Sequence, residues 1–569
     1  MNPLDSLLSF IPYVVAFVPM LGILVFVHEL GHFMAAKYFG VRVLKFSLGF
    51  GSPIGFGRFR LRWMRAGTEY VIAWIPLGGF VKMLGEQLHD QGDAEPEVID
   101  ARPDEYLNAK PTWQKLTITF AGPAMNLLLP VVILVGLLAA GLPRADAVIG
   151  TVEIASPAAE AGLLAGDRIT SVDGEPVTWW SDLAIAVREA DAGPLTLGID
   201  RAGEALEFVV PVEERAGLDD FGSPTRVGWA GLGHQRLPAL LGVPDHGTAA
   251  SLAGLRSGDL VVEVKDQPVE DWASFRSAYA AAGTAGSVVL GVRPGADAEA
   301  PVELRSVPAR GSLGALGVVP ATIFVQRVTP GLPADRAGIE AGDLILAVDG
   351  RPIGSFATFW QLVRSSEGRS LAVTYARGGE TKTVDIAPEE QSMPSPLEIE
   401  GMDEKVYLVG ITHALPTLVG ATALDKELNP FVSIPRAVGK TLEITQLFLT
   451  GLGKLATGEV GTDKLTGPIG IAEISKKTLD RGWLDYLQTL MLISINLGII
   501  NLLPIPVLDG GQALIYMIEG IQRSPISVRT REFVQSVGLT MVIALIGLAF
   551  WNDLSRHWTR FVEWLQNGL

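Results

Sequence analysis

The chain has 569 residues, a net charge of −17, 48% hydrophobic and 19% charged residues, and no cysteine. Ordinary soluble domains carry about 25% charge, which argues against a fully soluble enzyme. The missing cysteine excludes a disulfide scaffold, a thiolate zinc finger and a cysteine nucleophile, and the acidic balance gives no electrostatic reason to expect nucleic-acid binding.

In chain order, Ser6 to Val27 is the first of four uncharged stretches long enough to cross a bilayer, which takes about 20 apolar residues. With no basic leader and no small-residue cleavage pattern, it reads as a span and not as a signal peptide. It runs directly into His28-Glu29-Leu30-Gly31-His32. Histidines four apart share one helix face, about 5 to 6 Å apart at Cβ, so both can reach one zinc ion. Glu29 beside them is placed to take a proton from water. Ionisable groups continuing an apolar span are costly and default to a functional reading. The plain alternative, a snorkelling His-Glu pair at a helix end, explains Glu29 or His32 alone but not the spacing.

From Val41 to Lys82 seven Lys/Arg face one acid, Glu69, which marks a cytoplasmic loop. Within it Gly67 to Met83 alternates around β-formers and is broken by Pro76 and Gly78-Gly79, too short for a spanning helix. Leu116 to Leu142 is the second span. The segment from Pro143 to Asp485 then holds 29 Lys/Arg and 46 Asp/Glu, a difference equal to the whole net charge of −17, and is expected outside the membrane. Three stretches inside it look alike, with Gly-Asp pairs at Gly166-Asp167, Gly258-Asp259 and Gly342-Asp343. Each pair follows a small-residue turn and precedes a β-branched strand, an Asp-Gly or Asp-Gln turn and a helical stretch. The spacing suits small domains and is too long for a solenoid. The pattern resembles the PDZ domain of bacterial membrane-associated and periplasmic proteases, which implies strand-addition binding of extended chains; ligand-free β-rich spacers are the alternative. The middle copy fits least, with Lys265-Asp266-Gln267 where the others have Val-Asp-Gly.

Asn429 to Thr450 reads as an amphipathic helix lying on the outer surface, with Pro435 in its first turn, so that the helix proper starts there. Tyr486 to Leu508 is the third span and leads into Asp509-Gly510-Gly511. Asp509 is the only acid between Asp485 and Glu519, and Pro504 and Pro506 break the helix just before it. Broken helices at membrane depth are tolerated where they line a cavity; prolines leave carbonyls without a helical donor, and glycines admit another backbone. Because this span runs parallel to the first, His28, His32 and Asp509 can surround one zinc at the cytoplasmic side, and a catalytic zinc needs three protein ligands and an open position. A short loop with Arg523, Arg529 and Arg531 precedes the fourth span, Phe533 to Asn552. The tail from Asp553 to Gln566 is a second candidate surface helix. His89, His234, His246, His413 and His557 have no ligand spacing and read as surface residues.

The expected fold is a multi-pass α-helical membrane protein, with four transmembrane helices and a membrane-associated β-hairpin, into which tandem PDZ-like α+β domains are inserted. The expected divisions are 1–142 and 486–569 for the membrane part, 143–214, 215–310 and 311–392 for the PDZ-like units, and 393–485 for a linker.

HELGH followed far downstream by Asn501-Leu502-Leu503-Pro504-Ile505-Pro506-Val507-Leu508-Asp509-Gly510-Gly511 resembles the signature pair of the site-2 proteases, the intramembrane zinc metalloproteases. Gly67 to Met83, Phe120 to Asn126 and Leu465 to Ala472 agree with it. The resemblance implies one zinc per chain on His28, His32 and Asp509, Glu29 as the base, and substrate contacts from Asn496 and Asn501, with Pro504, Pro506, Gly78 and Gly79 beside them. For each Asn a helix-helix hydrogen bond is the alternative. It implies a membrane-entering β-loop whose edge pairs with an unwound substrate; a cytoplasmic hairpin is the alternative. Implied partners are the lipid bilayer, single-span substrates such as an anti-sigma factor or a leftover signal peptide, and an upstream site-1 protease. The implied location is the bacterial inner membrane, with both termini and the PDZ-like region outside and HELGH towards the cytoplasm. Three PDZ-like units instead of two are the departure from the pattern. A membrane-anchored scaffold with a vestigial metal site, and an ion transporter with a broken-helix site, are the competing classes.

Overall fold

The computed structural model describes residues 3–56, 59–85, 101–190, 193–219, 224–297, 299–393, 404–413, 418–459, 461–462 and 465–567, without the side chains of 3–10, 76–77, 216, 218, 296, 404 and 556–567. His89 and the His557 side chain lie outside the described residues, as do the side chains of most of the tail. The chain divides into two compact units, one of Met1–Leu142, Pro394–Asp403 and Lys426–Leu569, the other of Pro143–Met393 and Glu404–Asp425.

The first unit is helical: α1 (Pro3–Tyr38), α2 (Thr112–Ala140), α3 (Pro430–Thr457), α4 (Pro468–Arg481), α5 (Trp483–Leu502), α6 (Asp509–Gln522) and α7 (Val528–Asn567). Four segments among the described residues are long and apolar enough to cross a membrane: Ile11–Tyr38, Thr112–Ala140, Trp483–Leu502 and Val528–Ser555. The third ends at Leu502, six residues before the expected Leu508, because Pro504 and Pro506 have no N–H to continue the ladder. The backbone then turns on itself. A Cβ on Gly510 would stand 2.2 Å from the Leu502 carbonyl oxygen, and one on Gly511 2.1 Å from that of Ile505. The approaching backbone that these glycines admit is therefore their own.

Helix α2 is the hub, packing against α1, α3, α5 and α6. Apolar surface gains little by leaving lipid for protein, so such helices associate by close contact. A Cβ on Gly31 of α1 would lie 2.2 Å from the Ala121 carbonyl oxygen of α2, and one on Gly498 of α5 would lie 3.2 Å from that of Pro123. The Tyr486 hydroxyl adds a 2.7 Å bond to the Ala16 carbonyl. Helix α3 corrects the sequence reading. It starts at Pro430 under an Asn429 cap, so Pro435 sits inside it and not at its start. It buries Ser433 and Ala437 with Thr441 and leaves Phe431, Leu442 and Leu449 exposed, so its small residues face protein and its large apolar ones face outward.

Asp553, 1% exposed near the end of the fourth apolar segment, accepts the backbone N–H groups of Gly467 (3.0 Å), Ile469 (3.0 Å) and Gly470 (3.2 Å). It thus caps α4 from α7, and Gly467 and Gly470 leave the room it needs. Asp553→Ala should strand three donors, two of them buried, and lower stability by roughly 2–4 kcal/mol, seen as a lower melting temperature of the detergent-solubilised protein.

Between α1 and α2 lies a small sheet. Val43–Pro53 is flanked on both sides by parts of one long bent strand, Thr68–Met83, so that Phe46 pairs with both Tyr70 and Val81, and Arg62–Arg65 closes the far side. Gly78–Met83 is therefore an edge of this sheet.

The second unit repeats one layout three times: a one-turn helix, a strand, a short hairpin strand, a ten-residue helix and two further strands. The ten-residue helices are Trp180–Glu189, Trp272–Ala281 and Phe356–Ser365. Each repeat has a four-stranded antiparallel sheet and its own apolar core. Strand pairing of Thr151–Val152 with Leu232–Gly233 carries the first repeat past residue 214, where the sequence reading placed its end. The Gly-Asp aspartates are buried in all three. Arg201 clamps Asp167 at 2.7 and 2.8 Å, and Arg377 clamps Asp343 at 2.6 and 2.7 Å. The matching position in the middle repeat is Pro294, and burial holds the Asp259 carboxyl above its ordinary range. The middle copy therefore lacks the arginine clamp, a difference separate from its Lys265-Asp266-Gln267 turn.

Candidate active site

Glycines shape this site before any charged group does. A Cβ on Gly122 of α2 would sit 2.2 Å from His32 Nε2, so only glycine lets the ring lie against that helix. His28 and His32, four residues apart on one face of α1, come together with Glu29 beside them, and each of the three is 8–9% exposed. Their imidazole Nε2 atoms are 3.2 Å apart. Asp509 reaches them from the first turn of α6, with Oδ2 3.2 Å from His28 Nε2 and 3.6 Å from His32 Nε2. One ligand atom from each of the three residues lies within 4.8 Å of the other two, and among the described residues this is the one group of three or more acids and histidines so placed.

The outer partners fit a metal bound through Nε2. His32 Nδ1 donates to the Ile118 carbonyl at 2.8 Å, leaving Nε2 a lone pair. His28 Nδ1 lies 3.1 Å from the Asn126 amide nitrogen, while Asn126 Oδ1 is buried with no partner. The two ends of a carboxamide are assigned by hydrogen bonding. Turned over, Asn126 accepts the His28 Nδ1 proton, satisfies its orphaned oxygen and frees His28 Nε2 as well. Ser494 holds the same residue, donating to its carbonyl at 2.7 Å. Asn126→Ala should weaken zinc binding by about 10–100-fold, measured by competition with a chelator. Sequence alone gives Asn126 no role; the signal that points to it is a carboxamide inside an apolar span.

A cavity of about 450 Å³ opens on these groups. One wall is the sheet edge, Gly79, Phe80, Val81 and Met83; the other comes from α6 and α7, with Gln512, Tyr516, Arg531 and Glu532. Arg531 donates to Gln512 Oε1 at 3.2 Å. A Cβ on Gly79 would lie 3.0 Å from Glu29 Cγ and 2.7 Å from Val25, so glycine lets the edge close on α1. Gly78, at φ 131°, takes a conformation that side chains rarely adopt. Of the residues singled out in the sequence, the cavity gathers His28, Glu29, His32, Asp509 and Gly79. Gly78, Asn496, Asn501, Pro504 and Pro506 lie outside its lining; both asparagines are partly buried on α5, and Pro506 packs against Gly538. His234 and His413, read as surface residues, instead line a cavity of the second unit.

Residues 16–545 match the model of Peptidase family M50. Similar chains include Regulator of sigma-E protease RseP of Escherichia coli (strain K12), 33% identical over 97% of this chain and 100% of that one. Protease RseP of Yersinia pestis is 31% identical over 95% of this chain and 98% of its own. A relative in Xylella fastidiosa (strain Temecula1), 30% identical over 94% and 96%, carries a name describing a zinc metalloprotease. One solved structure, the HtrA3 PDZ domain bound to a phage-derived ligand (FGRWV), is 37% identical over 12% of this chain and 63% of its own, with a TM-score of 0.12. Match length and site chemistry leave neither the scaffold nor the transporter standing: the chain belongs to peptidase family M50, the site-2 proteases, and is a zinc metalloprotease.

Proposed function

We propose that this protease is an intramembrane endopeptidase that cuts within transmembrane segments of single-span proteins. Its substrates would be membrane-bound anti-sigma factors already trimmed outside by a site-1 protease, and remnant signal peptides. The observation that carries this reading is the meeting of His28, His32 and Asp509 beside Glu29, on a helix long and apolar enough to cross a bilayer. One zinc per chain fits this donor set, and when bound it supplies a Lewis acid that polarises a carbonyl and acidifies water. Glu29 takes the proton of the attacking water and returns it to the leaving amine. A helical peptide bond hides its carbonyl, so the substrate must be extended first. Gly79, Phe80 and Val81 line the cavity from a sheet edge, where an extended segment gains backbone partners that lipid lacks. Asn496 and Asn501 are assigned to the same substrate backbone, with Gly78, Pro504 and Pro506 shaping its path.

The protein is placed in the bacterial inner membrane with HELGH towards the cytoplasm and both termini and the second unit outside, on the loop charges. The three repeats of the second unit are assigned as PDZ-like domains that exclude substrates still carrying a bulky outer domain. In liposomes, a single-span substrate with a short outer tail should be cleaved, and the same span with a folded outer domain should be cleaved at least about tenfold more slowly. Equal rates contradict the filter. Failure to cut either contradicts the substrate class.

A further inference from the structure

Each repeat of the second unit ends in a short strand that pairs back on the strand before its one-turn helix: Leu232–Gly233 on Thr151–Val152, Val319–Pro320 on Leu241–Gly242, and Ile411–His413 on Val325–Val328. The other side of such a strand is where an extended chain adds. In the first repeat the chain supplies that addition itself. Gly231 and Gly233 turn their carbonyls inward, to the N–H groups of Glu153 (2.8 Å) and Gly150 (2.9 Å). Arg236 faces the opposite way and exchanges both backbone bonds with Leu418, at 3.0 and 2.9 Å. Its guanidinium Nε donates to the Val419 carbonyl at 3.2 Å while Nη1 holds Asp271 at 2.9 Å. His234 Nε2 donates to the Ala421 carbonyl at 2.8 Å, with its ring against Trp180. Gly420 between them is buried, and a Cβ there would stand 2.2 Å from the His234 carbonyl oxygen and 2.4 Å from its ring. Backbone pairing, two side chains that capture strap carbonyls, and a glycine that no other residue can replace all describe a seated strand.

We propose that Leu418–Ala421 is a built-in strap on the first repeat's edge, and that this edge binds an extended polypeptide which must displace the strap. The ligand the edge selects is an extended chain with glycine opposite His234. The middle repeat is a poor alternative acceptor. Ala321 N–H points inward to the Leu240 carbonyl at 2.9 Å, so the outward position is Pro320, which has no N–H. This inference rests on the second unit alone and stands or falls apart from the metal site.

The test uses full-length protein in detergent and a fluorescent peptide copying residues 416–424, Pro-Thr-Leu-Val-Gly-Ala-Thr-Ala-Leu. A tethered strap competes at an effective concentration of about millimolar, so the wild type should bind the peptide weakly. Gly420→Val should unseat the strap and tighten peptide binding at least about tenfold. The chain has no cysteine, so Gln235→Cys with Val419→Cys, at the neighbouring pair of the ladder, forms a single lock. Oxidation should abolish peptide binding and reduction restore it. No gain with Gly420→Val, or undiminished binding by the oxidised lock, overturns the proposal. Hydrogen exchange on the wild type needs no variant: residues 418–421 should exchange faster in millimolar peptide, and unchanged exchange also overturns it.

Discussion

Glu29→Gln is expected to stop peptide-bond cleavage while zinc stays bound. Glutamine keeps the size and packing of the side chain, which matters because Gly79 and Val25 crowd this place. It removes only the ability to accept and return a proton. General acid-base catalysis contributes about 10²–10⁴-fold, so kcat should fall by that factor with KM little changed, because the group acts on water and the leaving amine and not on substrate binding. The check is single-turnover cleavage of a single-span substrate beside the zinc content of the same preparation. Full activity in this variant removes Glu29 from the chemistry. Lost zinc would assign it a structural role instead.

Asp509→Ala is expected to remove zinc itself. Two imidazoles from one helix turn leave a divalent ion two ligands short of a closed site, and the third ligand must come from another element. Asp509 is the described acid that reaches both rings. Zinc affinity should drop by more than the roughly 10–100-fold of an outer-partner change, and activity should vanish with it. Removing zinc from the wild type with a chelator should give the same inactive state, reversed by added zinc, whereas Asp509→Ala should recover only at far higher zinc concentration. A variant that keeps one zinc per chain and full activity would show that the metal lies elsewhere.

What the residues disclosed by themselves, and what they withheld, follows from the range of each signal. HELGH is local: its spacing sets the helix face and its apolar lead-in makes the charges costly, so two of the three ligands and Glu29 are legible in one turn. Asp509 stood out because no other acid shares its stretch. Asn126 did not, because its value lies in the contact of α2 with α1, and a carboxamide in an apolar helix has a ready explanation as a helix-helix bond. Gly31 and Gly122 were silent for the same reason: a glycine in an apolar run does not say which backbone or ring will approach it. Apolarity continues through Pro504-Ile505-Pro506 while hydrogen bonding does not, so hydropathy alone carries the third span six residues past the helix end at Leu502. Helix α3 began earlier than expected because Pro435 is tolerated inside it, one turn beyond Pro430. The pairing of Arg236 with Leu418 joins residues 182 apart in the chain, beyond any pattern in a window of sequence.

The three-ligand site is tested most directly by zinc X-ray absorption on the purified full-length protein beside Asp509→Asn. The expected wild-type shell holds two imidazole nitrogens at about 2.0–2.1 Å and a carboxylate oxygen at about 2.0–2.2 Å, with that oxygen lost or the zinc absent in the variant. Identical shells in the two proteins, or a wild-type zinc without imidazole scattering, would contradict a metal held jointly by His28, His32 and Asp509.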